Sequence, residues 1–233
     1  MDFCIRTKED LKRAVEETGI LPFFANSIPG FSVEENCDPA VYFSGQPGVW
    51  EWKGPVIQET GCAYGKFLGG KAVFISKKWI CDFCNWRRDG YDFDARMEDG
   101  LANYKEQYLY NLVSKHHSAL SKDLKIEGGY MKPLGMKNDD WQPRKGFDTT
   151  MTKLQMLGYV TTTDFEYEVD HNGREYGWGI ARYATFESRF GAWFRKNVYK
   201  RTPEESYARI LRRLKKILPG VQENEIEYLL HLK

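Results

Sequence analysis

The 233-residue sequence predicts an α+β fold, and three observations carry that reading. A glycine pair splits a strand-like stretch at 62–75, three helix-like segments precede a second pair of strands in 101–183, and a strongly capped periodic segment follows Thr202. With 42% hydrophobic and 15% aromatic residues, the chain has enough apolar surface for one large core or two smaller ones, and disorder is excluded as a general description.

Thr7 followed by Asp10 has the spacing of a capping box, Leu11 and Val15 share one helical face, and Gly19 stops this first helix. Asp38 before Pro39 predicts a brief helical turn ahead of a Pro/Gly-rich loop reaching Gly48. The alternation of Glu51 with Trp50 and Trp52 reads as a solvated position on a strand face. Gly69-Gly70 supplies the positive φ angles of a tight hairpin at 62–75. Ser76 then caps a helix carrying Trp79, Ile80 and Phe83, and the aspartate-rich stretch 87–100 reads as a loop.

From Leu101 the spacing of Tyr104, Tyr108, Leu109 and Leu112 predicts a helix with these residues inward, ending at His116-His117, whose imidazoles suit the carbonyl end. Ser118 is read as the cap of a second helix with Leu120, Leu124 and Ile126 inward and Gly128-Gly129 as its stop. Phe147, Met151, Leu154 and Leu157 define a third helix, ended by Gly158. Two strands around Asn172-Gly173 follow. Three helices and a hairpin, in that order, predict a winged helix-turn-helix over 101–183, with an α+β module at 1–100 and basic helices at 184–233. In the last region Thr202-Pro203-Glu204-Glu205 opens a helix through Leu218, and a short helix covers 223–231.

Net charge is only +1, but residues 1–100 carry −4 and residues 101–233 carry +5, with +7 inside 184–216. A polyanionic partner fits the back half. No apolar run reaches the length of a membrane span, and the charged start is unlike a signal peptide, so a cytoplasmic protein is expected. Five cysteines without disulfide-scaffold density read as reduced thiols; the Cys81–Cys84 pair lacks a second pair of ligands at zinc spacing, and no metal or cofactor is expected.

In a winged helix the third helix enters the major groove and the hairpin tip reaches backbone or minor groove. Arg144, Lys145 and Lys153 suit phosphate oxygens, Thr149 and Thr152 are short enough to let the helix approach bases, and His171, Asn172 and Arg174 occupy the wing tip. Double-stranded DNA is the expected partner. The competing use of such a unit is protein interaction, with Thr152 and Met156 in a dry contact.

The stretches WEWKGP (50–55), AYGKF (63–67), RRDGYDFDAR (87–96), KGFDTTMTKLQMLGYV (145–160) and YGWGIARY (176–183) resemble the AlkZ-related proteins. These are relatives of the winged-helix DNA glycosylases that remove alkylated bases or unhook interstrand crosslinks. The resemblance spans most of the chain and implies a winged-helix DNA-binding scaffold with a glycosylase-like hydrolysis as the associated reaction. Those glycosylases place water with a Gln-x-Gln motif, which occurs nowhere in this sequence. A substitute carboxylate beside aromatic walls is sought instead in Glu51, flanked by Trp50 and Trp52, and in Asp92 and Asp94 near Tyr91. The alternative function is a ligand-sensing or protein-interaction module using the tryptophan-rich front half, and a third is a cysteine oxidoreductase built on Cys81 and Cys84.

Overall fold

A computed structural model describes residues 3–43, 47–135, 142–173 and 175–232. The first helix, α1 (Lys8–Thr18), opens with the expected capping box: the Asp10 N–H donates to the Thr7 hydroxyl at 3.1 Å and the Thr7 N–H to the Asp10 carboxylate at 3.0 Å. After β1 (Ile20–Pro22) and the short α2 (Val33–Asn36), Asp38 and Pro39 start one 3₁₀ turn, as their order implied.

The stretch expected to be a strand around Trp50 is instead the helix α3 (Val49–Thr60), capped where the Gly48 N–H donates to Glu51 Oε2 at 2.8 Å. Gly54-Pro55 inside it hid the helical period. A Cβ at Gly54 would lie 2.6 Å from Asp164 Oδ1, so the glycine lets α3 cross a later strand closely. Gly48 is tighter, since a Cβ there would sit 2.0 Å from the Val41 carbonyl oxygen. Gly48→Ala is therefore expected to lower stability by about 1–3 kcal/mol, read as a shifted denaturation midpoint.

The hairpin β2 (Ala63–Leu68) and β3 (Lys71–Ile75) turns on Gly69 and Gly70, with φ of +56° and +69°, as expected for its sequence. A 3₁₀ turn after Ser76 leads into α4 (Ile80–Arg88). The expected loop at 87–100 contains a helix, α5 (Phe93–Glu98), because Asp92 accepts the Ala95 N–H at 2.8 Å and nucleates it.

Next come α6 (Tyr104–Ser114), β4 (Ala119–Leu120), α7 (Ser121–Glu127) and α8 (Phe147–Met156). Leu109 and Leu112 face inward, but Tyr104 is 66% exposed, contrary to its expected orientation. Ser118 does not cap α7; Leu120 holds that position, and the Ser118 hydroxyl lies 2.9 Å from that of Thr163. The reason is β4, which draws 119–120 into the sheet. His116 meets a carboxylate rather than a helix end, with Nε2 2.7 Å from Glu127. The strands β5 (Val160–Val169) and β6 (Glu175–Thr185) form the second hairpin. Thr185 caps α9 (Phe186–Asn197), a helix kinked at Gly191 that the sequence did not announce. The capped α10 (Pro203–Ile217) and α11 (Glu223–His231) close the chain as expected.

Among the described residues six strands join one antiparallel sheet in the order β1-β3-β2-β5-β6-β4. It is thinnest at its centre, where β2 and β5 share the pair Tyr64–Thr162, reinforced by the Thr161 hydroxyl donating to the Tyr64 carbonyl at 3.1 Å. Two cores follow the same division. The larger combines the front half with Phe186, Phe194, Ile210, Leu214 and Leu230 from the C-terminal helices. The smaller gathers Phe93, Leu109, Leu124, Phe147, Leu154 and Tyr159. The C-terminal helices thus fold back over the front half, and several of their cations are engaged there: Arg201 and Arg209 flank Asp82 at 3.5 and 3.2 Å, and Arg213 donates to the Glu17 carbonyl.

Candidate nucleic-acid interface

The helix α8 buries Phe147, Met151 and Leu154 as its spacing demands, together with Thr150 and Gln155. Gln155 reaches across to β2, accepting the Lys66 N–H at 3.0 Å. Leu157 is only half-buried and ends the helix, and Gly158 follows with φ +76°. Two adjacent arginines of α4 hold this C-terminal end. Arg87 Nε donates to the Met156 carbonyl at 2.6 Å and Arg88 Nε to the Gly158 carbonyl at 2.9 Å, so cations meet the negative end of the helix dipole.

The opposite face of α8 carries Asp148, Thr149, Thr152, Lys153 and Met156 along one shallow, open depression. Thr149 and Lys153 are exposed; Thr152 and Met156 are half-buried, Thr152 lying beside the Gly70 turn. Lys153 reaches sideways to Glu106 at 2.6 Å, a carboxylate 1% exposed that also lies 3.7 Å from Arg96. Asp148 is paired with Lys125 at 3.0 Å. Arg144 and Lys145 approach the helix from an exposed segment, and the Arg144 guanidinium rests on the Tyr108 ring at 4.1 Å. Five of the expected contact residues therefore border one end or one face of α8.

At the second hairpin His171 and Asn172 are exposed in a turn closed by the Asn172 N–H donating to Asp170 Oδ1 at 2.8 Å; Arg174 lies outside the described residues. The stem is acidic. Glu166 pairs with Arg182 and Glu168 with Lys122, so the strands carry no excess positive charge.

The expected catalytic residues fall into two separate places. Trp50 and Trp52 pack against the larger core, and Glu51 is exposed and caps its own helix. Asp92 caps α5 and Asp94 is exposed one residue past Phe93, a member of the smaller core. The Tyr91 carbonyl, by contrast, accepts both the Tyr159 hydroxyl at 3.0 Å and the Tyr199 hydroxyl at 2.9 Å.

Those tyrosines surround a pair that sequence reasoning missed. Arg88 has a fully buried side chain, donates to Glu187 Oε1 at 2.6 Å and to the Tyr199 hydroxyl at 2.9 Å, and lies 4.6 Å from the Tyr159 ring centroid. No local pattern announces it, because its partners stand about seventy to one hundred and ten positions away. Cys84 is buried nearby, which pushes its thiol well up, and burial pushes Cys81 up to about 11. A redox pair needs the opposite shift. Among the described residues no group of three or more metal-ligating side chains converges, and no helix is long and apolar enough to cross a membrane.

Lys53 is another unusual cation. Its ammonium lies 4.5 Å from the Phe165 ring centroid, 4.8 Å from Trp50 and 5.7 Å from Phe23. Burial lowers it from 10.5 to about 8, while the ring faces favour the charge. Between these two pH values the unfolded chain binds a proton that the folded chain does not, so this group makes stability rise as pH climbs from about 8 to about 10. Lys53→Met is expected to remove that rise and to be more stable than wild type by about 1–2 kcal/mol at neutral pH. Denaturant titrations of both proteins across that range check it.

The model of the family described as AlkZ related matches residues 5–231, and the chain belongs to that family. Membership suggests a DNA glycosylase-like or DNA-binding function. No curated protein and no solved structure matches it.

Proposed function

We propose that the protein binds duplex DNA through a winged helix at 101–183, with α8 as the major-groove helix and residues 1–100 and 184–233 as its support. The observation that carries this reading is the outward face of α8: an open strip with Thr149, Thr152 and Lys153 on it and Arg144 and Lys145 leading into it, on a helix held at its C-terminal end by Arg87 and Arg88. The element order supports it too. The run α6-β4-α7-α8-β5-β6, with Ala119 and Leu120 of β4 paired to β6, is the connectivity a winged helix requires.

Because the wing stem is acidic, phosphate contact falls to α8 and its approach segment, with His171, Asn172 and Arg174 limited to the tip. Within a family tied to base damage, the reading is a scaffold that binds or senses damaged duplex. Glu51 and Asp92 accept backbone N–H groups and Asp94 stands exposed, which favours sensing over excision. The alternative, a ligand-sensing module, draws support from a cleft of about 500 Å³ near the C-terminus, lined by Phe24, Leu68, Val73, Tyr228 and Leu232 rather than by Trp50 and Trp52.

Fluorescence anisotropy of labelled duplex at several salt concentrations tests the proposal. Affinity is expected to fall steeply as salt rises, by phosphate counterion release. Absence of binding at low salt contradicts it.

A further inference from the structure

A second feature sits where the approach segment meets α6. The chain between α7 and α8 leaves at Gly129 and returns at Arg144, whose N–H donates to the Gly129 carbonyl at 2.8 Å. Around this closure Tyr104, Lys105, Tyr108, Tyr130, Arg144 and Lys145 line a depression of about 160 Å³. Tyr104 and Tyr108 lie nearly parallel, with centroids 6.2 Å apart, and Tyr130 is 6.4 Å from Tyr108. Arg144 covers one face of Tyr108, while Tyr104 remains 66% exposed.

A large ring this exposed at the edge of a depression has little packing role, and among the described residues the lining contains three cations and no carboxylate. Aromatic faces interleaved with cations suit a base and its phosphate: the ring stacks, and the ammonium or guanidinium meets the phosphate oxygens. A base within a duplex has no free face to offer. We propose that this pocket binds an unpaired nucleotide of DNA in a single-stranded extension at the edge of the duplex, its base stacked on Tyr104 and its phosphate held by Lys105. The pocket's position fits, because Lys145 and Gly146 lead directly into α8. The inference rests on the duplex-binding reading and names the form of DNA that the same surface takes.

The test compares a blunt duplex with the same duplex bearing a short oligothymidine tail, using the full chain and anisotropy. Native protein is expected to bind the tailed form about tenfold more tightly, in line with the stacking of one base. Tyr104→Ala is expected to erase that preference and keep the blunt-duplex affinity, and Tyr104→Trp to restore it. Equal binding of both probes by native protein overturns the pocket and leaves the duplex reading standing. A tail preference that survives Tyr104→Ala also overturns it. Failure to bind either probe overturns both.

Discussion

Arg88→Met is expected to destabilise the protein by about 3–5 kcal/mol, because it leaves the half-buried Glu187 carboxylate without its cation and the Gly158 carbonyl without its donor. The loss is more than one ion pair. Arg88 joins α4 to the carbonyl that ends α8 and to the hydroxyl of Tyr199, so one guanidinium links both cores and the C-terminal helices. Replacing both partners, as Arg88→Met with Glu187→Leu, removes the uncompensated charge and is expected to recover a large part of the loss. Chemical denaturation of the two single variants and the double variant measures this coupling. A single variant within about 0.5 kcal/mol of wild type would contradict the description of Arg88 as a structural hub.

The second large effect is expected on binding. Arg144→Glu combined with Lys145→Glu reverses the charge beside the start of α8 and should weaken duplex affinity at low salt on the order of a hundredfold. The slope of log affinity against log salt should fall by about two, one for each phosphate deprived of its cation. These positions are preferable to Lys153, whose ammonium neutralises the buried Glu106; a glutamate at 153 would lower stability and confuse the result. Unchanged affinity in a folded double variant would remove Arg144 and Lys145 from the interface.

Elements whose determinants are local were legible in the sequence. Thr7 with Asp10, Gly69 with Gly70, the Phe147–Met151–Leu154 face and Thr202 with Glu205 each specify their structure within a few residues, and the structure has all four. Misreadings arose where a distant contact decides. Gly54-Pro55 looks like a helix breaker, yet α3 runs through it, and the glycine is set by the close passage of Asp164 on β5. Ser118 has the sequence of a cap, yet pairing of β4 with β6 moves the helix start past it. The candidate site divides the same way. The residues on α8 could be placed from periodicity alone, whereas Arg87, Arg88 and Glu187, which hold that helix in position, become visible only once the chain is folded.

Position-specific crosslinking tests most directly which face meets DNA. A photoreactive phenylalanine analogue at Thr149, on the outward face of α8, is compared with one at Lys216, an exposed position on the basic α10. With labelled duplex at moderate salt, the expected result is a crosslink from position 149 and none from position 216. A crosslink from 216 alone would contradict the account, transferring the interface to the C-terminal helices and leaving α8 as a helix that only packs.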